Sequence, residues 1–202
     1  MRDLVAEFGN IDIYLFDQLL KGRIAPADRV LDAGCGSGRN SFYLLTQGVD
    51  VYGVDSNPGS VRGMRELAAE LGGQGDDEHF RVEPLEALTF ADHAFDVVIC
   101  SAVLHFARDD EHFDAMMREM WRVLRPGGLF FARLASTIGM ETQVRRLQGR
   151  RFALPDGSER YLVDEPQLMS LMTSLGGQLL DPLKTTVVQD QRAMTTWVIR
   201  KH

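Results

Sequence analysis

The stretch LDAGCGSGRN, Leu31 to Asn40, constrains this chain more than any other ten residues. Gly34, Gly36 and Gly38 stand at alternate positions behind a short apolar run, Arg29 to Ala33, which carries Asp32 near its end. An apolar run of that length bounded by glycine reads as a buried strand. Glycine permits positive φ and lets a ligand approach the backbone with no Cβ in the way. The turn also offers the free N–H groups of a following helix, which favour a negative group. Strand, glycine turn and helix begin a βα unit, so the rest of the chain is read against a sheet built from such repeats.

That pattern continues. A helix through Leu44 and Leu45 is expected to stop at Gly48, a C′ residue. Asp50 to Val54 reads as a second strand, and Asn57-Pro58 as an N-cap with proline at N1, opening a helix through Val61, Met64, Leu67 and Leu71. Further strands are expected at Phe80 to Val82, Phe95 to Cys100 and Leu129 to Arg133. Before the last of these, Phe113, Met116, Met117, Met120, Trp121 and Leu124 recur at helical spacing as a core stripe, ended by the turn RPGG at Arg125 to Gly128. An amphipathic segment from Ile11 to Leu20 precedes the first strand. After Arg133 the pattern loosens to a Pro-Asp-Gly turn at Pro155 and a helix after Asp164 to Pro166. Two strands then follow, Lys184 to Val188 and Thr195 to Arg200, close enough to form a hairpin. The reading is one doubly wound α/β domain over 1–202: an N-terminal cap segment (1–28), a core (29–133), and an insertion with a C-terminal hairpin (134–202).

Composition bounds the function. A formal charge of -7 argues against a broad grip on nucleic acid, which needs clustered Lys and Arg. The two cysteines, Cys35 and Cys100, have neither zinc-ligand spacing nor partners for a disulfide framework, and no metal site is expected. No run approaches the roughly 20 apolar residues of a membrane helix, and the first ten residues do not resemble a signal peptide. The expected compartment is the cytoplasm.

The chemistry starts at the glycine turn. A dinucleotide loop of the form GxGxxG would place its third glycine at Arg39, so the spacing here differs. In YGVDSNP, Asp55 closes the second strand about 20 residues on, where a carboxylate can accept from two vicinal ribose hydroxyls. Taken alone, Asp55 has a helix-entry role as its alternative reading; behind the glycine turn, the nucleoside reading is favoured.

VLDAGCGSGRN, YGVDSNP, LTFADHAFDVVICSAVLHF and LRPGGLFF, in that order, resemble the successive motifs of class I S-adenosylmethionine-dependent methyltransferases, over roughly Arg29 to Arg133. GRNSFYLLTQGVDVYGVD is also similar to the small tellurite-resistance-type methyltransferases. The resemblance implies a mostly parallel seven-stranded sheet whose last strand is antiparallel. It places Asp32, Gly34, Cys35 and Gly36 around the methionine part of the cofactor, with Asn40 also on the cofactor side. Asp55 would hold the ribose hydroxyls, Ser56 and Asn57 would lie along the adenine, and Ser101 and Ala102 would pass beneath the methionine group. Many relatives carry an acid for the adenine amino group at the position of Pro84; here the backbone of Leu85 and Glu86 are the substitutes. His105 and Phe106 would face the substrate.

Transfer from a sulfonium is an in-line displacement, which proximity and orientation alone can accelerate greatly. A soft nucleophile, such as a thiolate or an oxyanion of tellurium or selenium, needs no protein base. An amine or hydroxyl does, and His105 is then the one catalytic candidate, against a structural or cofactor-lining role. Cys35 is read as meeting the cofactor through its backbone. Phe8, Tyr14 and Phe16 either cap the cofactor or dock their own helix. Arg145, Arg146, Arg150, Arg151 and Arg160 form either an anionic-substrate pocket or a solvated helix face paired with Glu141, Asp156 and Glu159, the second being favoured. The leading expectation is methyl transfer to a small-molecule acceptor, with S-adenosylhomocysteine as product and no nucleic-acid or membrane partner. A methyltransferase acting on protein or RNA, and a non-catalytic cofactor-binding scaffold, are the alternatives.

Overall fold

From Arg29 onward the βα alternation is present in the computed structural model, which describes residues 3–202. Met1 and Arg2 of the cap segment lie outside the described residues. In chain order the elements are α1 (Leu4–Phe8), α2 (Ile13–Leu20), β1 (Arg29–Ala33), α3 (Ser41–Thr46), β2 (Asp50–Asp55), α4 (Pro58–Glu70), β3 (Phe80–Val82) and β4 (Phe95–Ser101). A single 3-10 turn at Leu104–Phe106 leads into α5 (Asp110–Val123) and β5 (Leu124–Ser136). Then come β6 (Arg145–Gln148), β7 (Arg151–Ala153), β8 (Glu159–Tyr161), α6 (Glu165–Ser174), β9 (Gly177–Leu179), β10 (Lys184–Val188) and β11 (Arg192–Lys201).

The main sheet runs β10-β11-β5-β4-β1-β2-β3, with β9 as an eighth strand against β11. β1 to β5 pair in parallel, while β9, β10 and β11 pair antiparallel. The chain winds outward from β1 through β2 to β3, then crosses to β4 and β5 on the other side. The carboxyl ends of β1 and β4 therefore flank a topological switch point, where open α/β sheets bind ligands.

Period-2 alternation decides which layer each strand residue joins. Val30, Val97, Ile99 and Phe131 face a layer containing Leu15, Leu44, Val61 and Met64 from α2, α3 and α4. Leu31, Val98 and Phe130 face Phe113, Met117, Met120 and Leu168 from α5 and α6. The local signals work as expected. Asn57 caps α4, accepting from the Gly59 N–H at 2.8 Å, and Gly48 takes φ +73° behind α3. Gln189 and Asp190 both adopt positive φ in the three-residue turn, 189–191, that reverses β10 into β11.

Three features differ from the expectation. The sheet has eight strands rather than seven, since three-residue β9 is too short to announce itself by periodicity. The RPGG segment is not a free turn: it bulges within β5, so that Leu124 pairs with Phe95 and Leu129 with Val97. The arginine-rich insertion is no helix face but a separate three-stranded antiparallel sheet, β6-β7-β8. There Arg151 pairs with Glu159, and Arg150 pairs with Asp164 beyond the sheet. Strands of three or four residues carry too few alternations to be told from loop.

Candidate active site

β1 ends by handing two N–H groups to one acceptor. The amides of Gly34 and Cys35 both donate to the Val54 carbonyl, at 2.8 and 2.9 Å, which clamps the glycine turn to the end of β2. Gly34 has φ +86°, and a Cβ there would stand 2.3 Å from Val103 Cγ2. Gly36 has φ +52°, but a Cβ there would meet no atom within 4 Å among the described residues beyond its chain neighbours. Gly34 is thus required by packing, whereas the space beside Gly36 is open. Its N–H donates to Asp55 Oδ2 at 3.0 Å, and Asp55 Oδ1 accepts from the Asn57 N–H at 2.8 Å.

These residues border a cleft of about 840 Å³, within the size range of small-molecule and cofactor sites. Of the residues expected from sequence, Gly34, Cys35, Gly36, Asn40, Asp55, Ser56, Leu85, Glu86, Ser101 and Ala102 line it together. Ala102 sits at φ +64°, an uncommon backbone state for alanine, with its N–H on the Arg133 carbonyl at 2.7 Å. Such local strain of about 1–3 kcal/mol persists where the surroundings over-determine it.

Three expected residues stand elsewhere. Asp32 is buried behind the turn and accepts from the Ser41 hydroxyl at 2.7 Å, pinning the start of α3 instead of lining the cleft. Burial raises its carboxyl to about 6, against the lowering effect of that hydrogen bond. Asn57 is spent capping α4 and is exposed outside the cleft. His105 lies in the 3-10 turn just behind Phe106, which lines the cleft in its place. The His105 ring is buried, its Nδ1 has no partner among the described residues, and burial, with Arg160 and Arg192 nearby, lowers it to about 4. The Cys35 thiol is pushed far up by burial, as a packing residue's would be.

The cleft also contains residues that carried no local signal. Arg39 reaches Ser101 Oγ at 3.3 Å and stands 3.8 Å from Asp12, whose fully buried carboxylate is bound by Arg133 at 2.8 Å. Asn40 Oδ1 accepts from the Asp12 N–H at 3.1 Å, so the N-terminal segment is tied directly to the glycine turn. Arg108, His112 and Met116 line the cleft from α5 and the residues before it, Met116 being a member of the stripe read as core. The aromatic cap residues dock their own segment. Phe8 and Phe16 pack on each other and on Tyr43, and the Tyr14 hydroxyl meets that of Thr186 at 2.8 Å.

The arrangement suits an elongated ligand bearing vicinal hydroxyls. Asp55 is anchored through both oxygens by backbone N–H groups, and a carboxylate has further acceptor positions for two hydroxyls. The Cβ-free face of Gly36 adjoins it. Among the described residues no helix is long and apolar enough to cross a membrane.

Comparisons with known proteins converge on the same stretch. Residues 31–132 match a family described as methyltransferase domain. The ubiquinone biosynthesis O-methyltransferase of Sinorhizobium fredii is 32% identical over 162 residues, covering 76% of this chain and 61% of that one. Its Methylobacterium nodulans counterpart is 36% identical over 103 residues, covering 51% of this chain and 39% of its own. The chain thus spans only about two to three fifths of these curated relatives. In fold it is similar to a Burkholderia thailandensis 1,6-didemethyltoxoflavin-N1-methyltransferase solved with 1,6-didemethyltoxoflavin and S-adenosylhomocysteine. The TM-score is 0.70 at 22% identity, over 99% of this chain and 81% of that one.

Proposed function

The chain belongs to the methyltransferase-domain family, and from that premise we propose that it transfers a methyl group from S-adenosylmethionine to a small-molecule acceptor. The observation that carries the reading is the junction of Gly36 and Asp55: an anchored carboxylate beside a Cβ-free backbone, at the switch point of the sheet. The relatives' printed names favour an oxygen nucleophile over a thiol or an oxyanion of tellurium or selenium.

When bound, the cofactor supplies a methyl group already activated on a sulfonium. The residues of this chain hold and orient it. Asp55 takes the ribose hydroxyls, the Gly34–Gly36 backbone with Ser101 and Ala102 borders the methionine arm, and Ser56 and Leu85 lie toward the base. Phe106, which is more than half exposed, lines the acceptor side. With His105 lowered to about 4, its imidazole is neutral at neutral pH and weakly basic. Rate enhancement then rests on proximity and alignment, worth about 7–11 kcal/mol in favourable cases, with His105 in a packing role.

Calorimetric titration of the protein with S-adenosylmethionine, S-adenosylhomocysteine and NADH tests the cofactor. Binding of the first two without the third is expected; a folded protein that binds neither would overturn the reading. An acceptor screen follows, reading S-adenosylhomocysteine release with phenols, carboxylates, small thiols, tellurite and selenite. Turnover confined to a protein or RNA fraction would replace the small-molecule acceptor.

A further inference from the structure

The segment after β5 is crowded with arginines, and the structure sets one of them apart. Arg150 is paired with Asp164 at 3.0 Å and Arg151 with Glu159 at 3.4 Å. Arg145 and Arg146 stand exposed on β6, at the opposite edge of the small sheet from β8. Arg160, on β8, follows neither arrangement. It is partly buried, donates to the Glu159 carbonyl at 2.8 Å, and forms no ion pair among the described residues. The acids that could neutralise it are engaged elsewhere. Glu141 Oε1 accepts from the Gly139 N–H at 3.0 Å, and Asp156 Oδ1 accepts from the N–H and hydroxyl of Ser158 at 2.9 and 2.6 Å.

This unpaired charge stands beside the cleft wall. The guanidinium carbon of Arg160 lies 4.9 Å from the centroid of the Phe106 ring, and that ring lines the cleft while 56% exposed. A guanidinium stacked on an aromatic ring keeps N–H groups at its edge, in a fork that matches a carboxylate or phosphate. Neighbouring contacts hold Arg160 in place. Tyr161 stacks on Phe113 at 4.8 Å and its hydroxyl donates to Asp110 at 2.7 Å, which fixes β8 against α5. Arg151 Nη1 donates to the Ala107 carbonyl at 3.4 Å, which ties β7 to the end of the 3-10 turn. His105, in that same turn, registers the positive field: after burial, Arg160 and Arg192 are what lower it. A chain of net charge -7 thus concentrates positive charge where its acceptor would enter.

We propose that the methyl acceptor is an aromatic molecule bearing a carboxylate or phosphate group, with its ring against Phe106 and its anionic group on Arg160. The inference deepens the methyl-transfer reading above and rests on it. The anionic group is a handle and not the nucleophile, because an oxygen neutralised by a guanidinium attacks more weakly than a free one. It orients the acceptor so that a different oxygen of the same molecule meets the methyl group. Hydrogen bonds to charged groups are strong enough to favour such an acceptor over its neutral counterpart by about tenfold or more.

The test is fluorine NMR titration of the full chain with 4-fluorobenzoate, 4-fluorophenyl phosphate and the neutral 4-fluorobenzamide. The protein is first saturated with S-adenosylhomocysteine, so that the cofactor side of the cleft is filled. The wild type is expected to bind one of the two anions at least about tenfold more tightly than the amide, and which one tells carboxylate from phosphate. In Arg160→Gln that preference falls to within about threefold. Phe106→Ala weakens all three probes and leaves the preference in place. Arg145→Gln, at the other edge of the small sheet, leaves every value at that of the wild type. Thermal melts establish that each variant is folded. A wild type that binds no probe, or binds anion and amide alike, overturns the inference, as does an Arg160→Gln preference equal to the wild type's or an equal loss in Arg145→Gln. In each of those cases S-adenosylhomocysteine binding keeps the cofactor reading. A wild type that does not bind S-adenosylhomocysteine overturns both.

Discussion

Gly34 and Gly36 are two residues apart, both at positive φ, and the structure assigns them opposite sensitivities. Replacing Gly36 with alanine puts a methyl group into the open cleft, where no atom lies within 4 Å among the described residues beyond its chain neighbours. The folded state bears only the left-handed backbone cost of an L-residue, about 1–2 kcal/mol. For a chain of this length that lowers the melting temperature by roughly 2–8 °C. Ligand binding should suffer more, because the methyl group occupies space the cofactor needs; a loss of at least about tenfold is expected, or roughly 1.4 kcal/mol. Replacing Gly34 adds the same backbone cost and drives a Cβ to 2.3 Å from Val103 Cγ2, on a stiff β-branched side chain. Overpacking of that kind costs a further 1–3 kcal/mol or so, for a total of about 2–5 kcal/mol and a melting shift of roughly 4–20 °C. Differential scanning calorimetry and titration with S-adenosylhomocysteine on both variants decide the matter. If folded Gly36→Ala binds like the wild type, the cofactor does not pass that face. If Gly34→Ala melts no lower than Gly36→Ala, the packing argument is wrong.

Asp55→Ala removes both the ribose acceptor and the anchors to the Gly36 and Asn57 amides. Affinity for S-adenosylhomocysteine should fall about 10- to 100-fold by titration, and an unchanged dissociation constant would sink the ribose assignment. Asp32 has a folded-state value near 6 against 3.8 in the unfolded chain, so the native state holds the proton more tightly. Its contribution is full below about pH 4 and is lost as pH rises through 6, by an amount on the order of 3 kcal/mol. Asp32→Asn should flatten that part of the pH–stability curve and melt no lower than wild type at pH 8; thermal melts from pH 4 to 8 that keep the original slope would refute it. His105→Gln should retain methyl transfer within about fivefold, whereas a loss of 10²–10⁴-fold would mark a general base.

What was legible in the sequence is what local chemistry specifies. The glycine turn, the Asn57-Pro58 cap, the Gly48 stop and the hairpin each depend on residues within a few positions of one another, and each stands where the pattern put it. The cleft's cofactor side was legible for the same reason, since Gly34, Gly36 and Asp55 lie at the ends of adjacent strands β1 and β2. Asp32 stands behind the turn and not in the cleft lining, because strand alternation says which face a residue takes, not which partner its side chain finds. Its carboxylate went to Ser41. One turn of 3-10 geometry, which local pattern does not announce, sends Phe106 into the cleft and sets His105 behind it.

The remainder is held by contacts between residues far apart in the chain, to which periodicity is blind. The Arg133 guanidinium donates to the Asp12 carboxylate across 121 positions, Arg39 stands 3.8 Å from the same carboxylate, and the Asp12 backbone N–H donates to Asn40, so a single residue joins the N-terminal segment, the glycine turn and β5. A buried ion pair of this sort is weak evidence for stability, because desolvation offsets much of the attraction. It does fix geometry: breaking it would leave the half-buried Arg133 guanidinium, whose Nε has no hydrogen-bond partner among the described residues, without its counter-charge. The N-terminal segment is therefore bound to the turn that lines the cleft by the same residue that neutralises the sheet's arginine. N-terminal segment, glycine turn and β5 are thus tied together, although only the glycine turn has a readable sequence motif.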